Sequence, residues 1–527
     1  MVKLDSNYIN IKEKYSNNPA LNIALDTINI NKQAIIFVNS KRSAEKTAED
    51  IANKNNKNSI ELINLSEKIL HVLSRPTKQC KRLARCVKYG TAFHHAGLAT
   101  KQRELIEDNF RKGVIKIISS TPTLAMGLDL PAYRTIIRDL KRFTRRGMQY
   151  IPVLEYKQMA GRAGRPSYDN EGQAIIVSTS QAQYDELEEI YIHGESESIY
   201  SKLAVEPVLR TYLLSLIAGN FVRSKSQIME FFGKTFWAHQ YQDMDKLDFI
   251  IEEMLNLLVE WEFLISSKSS LGDFASADEV NDDKYRATKL GRRVAELYLD
   301  PMTANNFICA LRRAKQVTIE PFSFLQMVSY TLELRPLLRV KMKEHENILS
   351  DYVKYEDCII TSEPSAFDYE YDEFLNSVKT SLFFIDWINE FDEEFLFEKY
   401  DIRPGEIRMK LDVADWLLYS TIEFAKLLEF RDIVKEVTKI RFRLKYGVKE
   451  ELLVLLKLKM IGRVRARSLY RNGIKDIKSV KNVDVAKLGQ IIKSRKIAED
   501  VKEQLGQKVD RVKKGKRKGQ KSINNWN

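Results

Sequence analysis

Short apolar runs that alternate with stretches of helical spacing constrain the first two hundred residues more than any other feature of this chain. Ala34 to Val38 reads as a buried strand, and Ser43 to Ala52 has helical spacing with Ser43 as its cap. The pattern returns as a strand at Thr91 to His94, a helix at Lys101 to Arg111, and strands at Val114 to Ser119, Thr135 to Ile137 and Ala174 to Val177. Strands alternating with helices imply a parallel sheet with helices on both faces. After a polar, Asn-rich lead, the first lobe of the chain is therefore expected to be α/β and doubly wound. Ligands of such sheets gather at the carboxyl ends of the strands. Asn39, Ser40, Thr121 and the turn from Gln158 to Arg165 are expected to share that edge.

The turn itself, Gln158-Met159-Ala160-Gly161-Arg162-Ala163-Gly164-Arg165-Pro166, places two guanidinium groups and an amide on a glycine-hinged bend. Arginine stays charged and offers a planar fork that matches a phosphoryl group, while Gly161 and Gly164 let the backbone approach a bulky anion. Upstream lie Ala92 to Leu98 (Ala-Phe-His-His-Ala-Gly-Leu) and Thr121 to Ala132 (Thr-Pro-Thr-Leu-Ala-Met-Gly-Leu-Asp-Leu-Pro-Ala), each beside a short apolar run. Together these segments resemble motifs IV to VI of a superfamily 2 helicase. Their wording is closest to the Ski-like DNA helicases of archaea, the Hjm group related to the helicase part of DNA polymerase theta. The resemblance implies that residues 1–201 are the second RecA-like lobe. It gives Gln158, Arg162 and Arg165 the catalytic role and adds Gly127 and Asp129 to the nucleotide-binding set, with Thr121 on the DNA.

Between the second and third motifs, residues 138–155 contain Lys141-Arg142-Phe143-Thr144-Arg145-Arg146-Gly147-Met148-Gln149-Tyr150. Basic and aromatic residues alternate around a glycine. Such a stretch is either an ordinary charged hairpin or one that touches both phosphates and bases. In the resembled family this insertion is a β-hairpin that separates the duplex, with Phe143 about where an aromatic meets the last base pair and Arg142 beside it.

Residues 202–300 read as helices (Pro207 to Ala218, Ser226 to Phe232, Met244 to Trp261) followed by two short strands, Phe263 to Ser266 and Lys284 to Thr288, which suggests a winged helix. Residues 301–445 are nearly all helical in pattern. Within them, Asp357 to Glu373 reads as a solvated, acidic and aromatic interhelical loop. A helix from Pro404-Gly405 to about Phe430 has its apolar face at Ile407, Leu411, Ala414, Leu418, Ile422 and Ala425. Trp416 falls on the opposite side, in line with Met409 and Glu423. A tryptophan there either packs under another domain or offers a stacking surface to a base. In the resembled helicases this is the ratchet helix, whose tryptophan stacks on single-stranded DNA. The family pairs it with an arginine where this chain has Met409, flanked by Arg408 and Lys410.

Residues 446–500 read as a helix-hairpin-helix around Met460 to Arg467, in which turn amides bind a phosphate without reading sequence. Arg465 replaces the second turn glycine, with Arg463 and Arg467 alongside as further DNA-binding candidates. Residues 501–527 form a basic tail expected to be disordered. Gln520, Ile523 and Trp526 at its end have the spacing of the short peptide by which DNA-repair enzymes dock on the sliding clamp, with Asn527 where a second aromatic is usual.

At 527 residues the chain exceeds one hydrophobic core, and roughly three to five domains are expected. Lys and Arg number 85 against 72 Asp and Glu, a net +13, which favours a polyanionic partner such as nucleic acid. The four cysteines, Cys80, Cys86, Cys309 and Cys358, show neither a zinc-ligand spacing nor a disulfide framework, so no metal site is expected. No apolar run approaches a membrane span and no signal-peptide core is present, so a soluble, cytoplasmic protein without a membrane partner is expected.

A helicase of this class splits ATP between two lobes, the first carrying the P-loop lysine and the metal-binding carboxylates. No G-x-x-x-x-G-K-S/T occurs; Gly233-Lys234-Thr235 imitates its end, but Ile228 occupies the place of the first glycine. Asp278-Glu279, Asp372-Glu373 and Asp392-Glu393 follow loops or helical patterns, not a buried strand. The resemblance therefore implies ATP with Mg2+ held mainly by a first lobe absent from this chain. The expected function is that of the C-terminal part or subunit of an ATP-dependent 3'-to-5' DNA helicase in replication-fork repair and recombination. It would act on single-stranded and forked DNA with a separate polypeptide carrying the P-loop lobe. The alternative is a non-catalytic protein that binds single-stranded or branched DNA.

Overall fold

The computed structural model describes residues 17–55, 57–73, 75–127, 129–144, 147–164, 171–203, 205–267 and 284–507. These form two compact units, one from residues 1–205, 230–247 and 393–410, the other from residues 206–229, 248–392 and 411–527.

The first unit is built on strands Ala34–Phe37 (β1), Thr91–His94 (β2), Ile117–Ser120 (β3) and Arg134–Ile137 (β4). A hairpin of Lys141–Thr144 (β5) and Gly147–Tyr150 (β6) follows, and Gln173–Ile176 (β7) comes last. The main sheet has the order β2-β3-β1-β4-β7, every pair parallel. Every residue of β1 to β4 is buried. Because successive side chains point to opposite faces, this means that both faces of the sheet are covered. Much of the cover comes from helices Pro19–Asn29 (α1), Lys41–Lys54 (α2), Ile60–Leu70 (α3), Lys78–Lys88 (α4), Thr100–Arg111 (α5) and Val153–Ala160 (α6).

Two local expectations are corrected. The cap of α2 is Ser40, whose hydroxyl accepts from the Ser43 amide, so the helix starts almost directly after β1. The Asn-rich lead contains α1, started by Asn18 and Pro19, with Ala20, Leu21, Ala24, Leu25 and Ile28 buried at helical spacing among its polar residues.

In the second unit, strands Leu264–Ser266 and Tyr285–Ala287 pair antiparallel as a wing beside helices Glu206–Ala218 and Lys289–Glu296. Arg210, fully buried on the first of these helices, makes two bonds of 2.6 Å to Asp300. Asp300 also caps the Pro301–Arg313 helix, so one carboxylate both starts that helix and neutralises a buried guanidinium. The Gly233-Lys234-Thr235 segment, which belongs to the first unit, ends one helix and caps the next through Thr235, as a helix junction and not a phosphate loop. Residues 448–501 surround their own core, including Leu452, Leu455, Ile461, Leu469, Val480, Leu488 and Val501. The first helix expected of the helix-hairpin-helix is instead two 3-10 turns, Glu450–Leu452 and Leu455–Lys457, ahead of an α-helix at Arg463–Arg471.

The long helix Pro404–Leu427 starts within the first unit, where its opening turn is fastened to the lobe. The Gly405 amide donates to the Gly97 carbonyl at 3.0 Å. A Cβ on Gly405 would lie 2.2 Å from the Ala96 oxygen and 2.3 Å from that of Leu98, so only glycine permits this backbone-on-backbone contact. Beside it, the buried Glu45 carboxylate accepts from Gln79 at 2.9 Å, Arg82 at 2.6 Å and Arg403 at 3.3 Å. The His95 Nδ1 accepts from the Gly97 amide, so the neutral ring carries its proton on Nε2 and donates it to Glu45 at 3.2 Å. Burial alone would raise the Glu45 carboxyl, but the hydrogen bonds from His95 and Gln79 and the charges of Arg403 and Arg82 outweigh it and hold the group at about 2. Burial likewise pushes the His95 imidazolium down, which keeps the ring neutral.

A folded-state value below the 4.5 of an ordinary glutamate makes this network fully stabilising above about pH 4.5, with its contribution lost as pH falls through about 2. Glu45→Gln should cost on the order of 3 kcal/mol at neutral pH, because Arg82 and Arg403 lose their counter-charge. The variant should also lose less stability than the parent between pH 4.5 and pH 2. Urea unfolding at a series of pH values checks both; parallel acid limbs would contradict the assignment.

Candidate nucleotide turn and nucleic-acid interface

Gln158 is exposed on the last turn of α6, and the chain then bends through Gly161 to Gly164. The Arg162 guanidinium donates twice to the Ala125 carbonyl, at 3.2 and 2.6 Å. Ala125 closes the 3-10 turn Pro122–Ala125 that follows β3, so one arginine ties the second motif segment to the third. The backbone makes the same connection. The Ala132 amide donates to the Arg162 carbonyl at 2.9 Å, and the Gly164 amide to the Ala132 carbonyl at 2.6 Å. Gly164 has φ +94°, and a Cβ on Gly172 would stand 2.2 Å from the Gly164 nitrogen, so the two strands of this bend need glycine to pass.

Asn39, Ser40 and Thr121 follow the carboxyl ends of β1 and β3, as expected. The bend at Gly161–Gly164 does not: Ala163 is bridged to Ala132, which precedes β4. The eight residues of α6 carry the chain back along the sheet by about 12 Å after the hairpin, a return that strand and helix periods do not reveal. Gly127, at φ +78°, and Asp129 are exposed between these two ends. Arg165 lies outside the described residues. The groups in place supply guanidinium and amide donors suited to phosphate. Among the described residues no cluster of His, Cys, Asp and Glu could hold a metal ion.

In the hairpin, Phe143 lies opposite Met148 and Lys141 opposite Tyr150. Period-two alternation puts these four on one face. Phe143 is 77% exposed and Met148 58%, an apolar pair left in solvent at the far end of the ladder. Nearer the base, the Lys141 ammonium rests over the Tyr150 ring, and the Tyr150 hydroxyl donates to Glu186 at 2.7 Å. The other face bears Arg142, which donates to both oxygens of the buried Glu155 at 3.1 and 2.8 Å. Arg142 therefore anchors the hairpin to α6, and Phe143 is the side chain it presents.

On the long helix, Ile407, Leu411, Ala414, Leu418, Ile422 and Ala425 are all buried, as the 100° spacing predicts. Trp416 is half-buried and its indole N–H donates to the Leu297 carbonyl at 3.1 Å. That bond fixes the ring's orientation while leaving part of the ring to solvent. Glu423, on the same side, pairs with Arg293 at 2.7 Å. Met409 is 59% exposed and Arg408 is exposed. Burial lowers the Lys410 ammonium to about 8, a poor starting point for an exposed phosphate contact.

Of the three C-terminal arginines, Arg467 makes a bidentate pair with Glu390 at 2.6 and 2.7 Å and reaches Glu451 at 2.9 Å. Arg463 lies over the Trp387 ring and donates to the Phe391 carbonyl at 2.7 Å. Both hold the 448–501 core to the end of the Tyr371–Ile388 helix. Arg465 donates to the Met460 carbonyl and is part-exposed at the turn. Gln520, Ile523 and Trp526 lie outside the described residues. Sequence reasoning missed Glu45, Arg82 and Arg403; the one available signal was a glycine just inside a helix start, at Gly405, where only a close backbone approach justifies its lost entropy.

Three family models match the chain: helicase conserved C-terminal domain over residues 18–167, helix-turn-helix domain over 182–265, and archaeal helicase, domain 4, over 322–447. The chain is similar to the ATP-dependent DNA helicase Hel308 of Pyrococcus horikoshii, 38% identical over 93% of this chain and 66% of that protein. It is 37% identical to the Methanococcus vannielii protein of the same name over 87% of this chain and 64% of that protein. The protein of that name from Pyrococcus abyssi is 38% identical over 94% of this chain and 67% of its own length. The chain spans about two thirds of the length of the curated relatives it matches. Among the described residues no helix is long and apolar enough to cross a membrane. The second-lobe fold, the winged helix and the helical domain fall in the same order as these matches, and the chain belongs to the Hel308-type family of archaeal superfamily 2 helicases.

Proposed function

We propose that the chain is the second-lobe, winged-helix and ratchet portion of an ATP-dependent 3'-to-5' DNA helicase that opens forked DNA in replication-fork repair and recombination. ATP with Mg2+ is then held mainly by a P-loop lobe that lies outside these 527 residues. The observation that carries this reading is the double fastening of Arg162 and Gly164 to Ala125 and Ala132. It preorganises the turn that would present Arg165 to a γ-phosphate. In this reading Gln158 and Arg165 face the nucleotide, Arg162 holds the turn, Phe143 abuts the last base pair, and Trp416 stacks on a base of the single strand. Thr121, Arg408 and Arg465 supply backbone contacts. The exposed Phe143 and the orientation-locked Trp416 support it, since unpairing and translocation both need apolar surfaces held still against a moving strand.

The purified chain should bind single-stranded DNA but hydrolyse no ATP, and a P-loop lobe taken from a relative should restore DNA-stimulated hydrolysis. In that mixture Arg165→Ala should lower turnover about a thousandfold, the scale of an arginine finger. Robust hydrolysis by the homogeneous chain alone would contradict the reading. DNA binding with no hydrolysis under any supplied lobe would favour the non-catalytic alternative.

Trp416→Ala should weaken single-stranded DNA binding by about 1 to 3 kcal/mol, whereas Trp416→Phe, which keeps a ring but loses the bond to Leu297, should lose less. Titration by fluorescence anisotropy separates these; equal affinities with a lowered melting temperature would make Trp416 a packing residue. For the tail, a labelled peptide of residues 513–527 should bind the cognate sliding clamp in the micromolar range. Changing Ile523 and Trp526 to alanine should abolish that binding.

A further inference from the structure

We propose that the exposed loop at residues 362–372 is a docking surface for the chain's own basic tail, residues 508–521. Both belong to the second unit, and the contact does not rest on the helicase reading. Between Lys354 and Lys379 the chain carries carboxylates from Glu356 to Glu373 and no Lys or Arg, in a molecule whose net charge is +13. Inside that stretch Phe367-Asp368-Tyr369-Glu370 alternates ring and carboxylate. Phe367 is 98% exposed and Tyr369 91%, although rings gain from burial. The loop is nevertheless fixed. The Ser365 amide donates to Asp368 Oδ2 at 2.8 Å, the Asp368 amide to the Ser365 carbonyl at 2.9 Å and the Tyr371 amide to the Asp368 carbonyl at 3.0 Å. Upstream, Arg313 donates to the Ser362 hydroxyl at 3.1 Å and the Thr361 hydroxyl to Gln326 at 2.8 Å. A surface ordered beforehand gives up little entropy on binding. Helix formation explains part of the acidity: Asp372 and Glu373 offset the dipole in the first turn of the Tyr371–Ile388 helix, and Glu373 pairs with Arg335 at 2.5 Å. That role does not reach Glu363 or the two rings.

The occupant follows from how the same chemistry is filled elsewhere in the second unit. Arg441 is held by both oxygens of Asp415 at 2.9 Å while lying over the Tyr419 ring, and Arg467 by Glu390 while lying over Tyr470. Carboxylate and ring together thus hold a cation, by charge and by the ring's quadrupole. Phe367 and Tyr369 are too exposed to be covered by a cation from the described residues. Residues 508–521, outside the described residues, include Lys513-Lys514-Gly515-Lys516-Arg517-Lys518 against the single carboxylate of Asp510. Reach permits the contact. Gln504 bonds the Lys459 backbone at 2.8 and 3.4 Å, and Arg463, four residues on, donates to the Phe391 carbonyl, so the tail departs near the end of the Tyr371–Ile388 helix. That helix is about 27 Å long with the loop at its other end, while a tail of fourteen extended residues spans up to about 46 Å. DNA phosphates offer the tail the same charge, so loop and DNA compete for it.

Carbodiimide crosslinking of the full chain at low ionic strength, with peptide mapping, tests this. Lysines of residues 508–521 should link to Glu363, Asp368, Glu370 or Asp372 within monomeric protein, and raised salt should suppress the links. Phe367→Ala with Tyr369→Ala keeps every carboxylate and should still lower the yield about threefold, the scale of exposed cation–π contacts. Glu363→Gln with Glu370→Gln and Asp372→Asn should lower it further, and should tighten binding of a labelled oligothymidylate about threefold, because the tail is released to DNA. That gain should vanish when Lys513, Lys514, Lys516, Arg517 and Lys518 are changed to Gln. The substituted loop side chains are exposed or flank exposed ones, so the loop variants should keep the parent's melting temperature. Tail links scattered over carboxylates outside the loop, links only between two copies, a yield unchanged by losing both rings, or an oligothymidylate affinity indifferent to the loop's charge would overturn the proposal. Those outcomes leave the helicase reading untouched, because they involve neither hydrolysis nor strand opening.

Discussion

A single buried carboxylate sets conditions for much of the first unit. Glu45 is taken out of water where an unpaired charge would cost several kcal/mol, and it is tolerated only because two guanidinium groups, an amide and an imidazole converge on it. The partners come from three segments: Gln79 and Arg82 from α4, His95 from the end of β2, Arg403 from the start of the long helix. Satisfying one charge thus fixes the position of three elements. The glycine contact at Gly405 adds a steric condition that no other residue meets.

The same economy recurs at the candidate sites, where the charged side chains nearest the chemistry are mostly spent on building it. Arg142 holds the hairpin to Glu155, so Phe143 is the side chain the hairpin presents to solvent. Arg162 is occupied with Ala125, leaving the outer positions of the turn for an anion. Arg467 and Arg463 fasten the C-terminal core to Glu390 and Phe391. The net charge of +13 is therefore a poor guide to which cations reach DNA. Exposed aromatic and apolar groups held at fixed points, Phe143, Met148 and the free part of Trp416, are the more specific surfaces.

The alternation of apolar runs and helical spacing made the parallel sheet legible, because buried strands and amphipathic helices differ in period as well as composition. The apolar stripe of the long helix was legible for the same reason, each of its six predicted positions being buried. What periodicity does not carry is direction and partnership. Nothing in the spacing of α6 says that it returns the Gly161–Gly164 bend towards the start of β4, nor that Arg403 reaches back to a glutamate more than 350 residues earlier in the chain. Helix α1 was hidden because it lies within a polar, Asn-rich lead, although its own buried positions repeat at helical spacing. The two 3-10 turns near Leu452 were read as a helix because their leucines repeat at an i, i+3 spacing that both geometries satisfy.

The proposed function requires that Phe143 on the hairpin and Trp416 on the long helix each contact DNA. Photo-crosslinking of forked DNA bearing 4-thiothymidine at successive positions, followed by peptide mapping, tests it directly. The account predicts crosslinks to the Pro404–Leu427 helix from the single-stranded arm and to the Lys141–Tyr150 hairpin from the junction. Crosslinks confined to the basic segment after Gln507, with none on the helix or the hairpin, would contradict it.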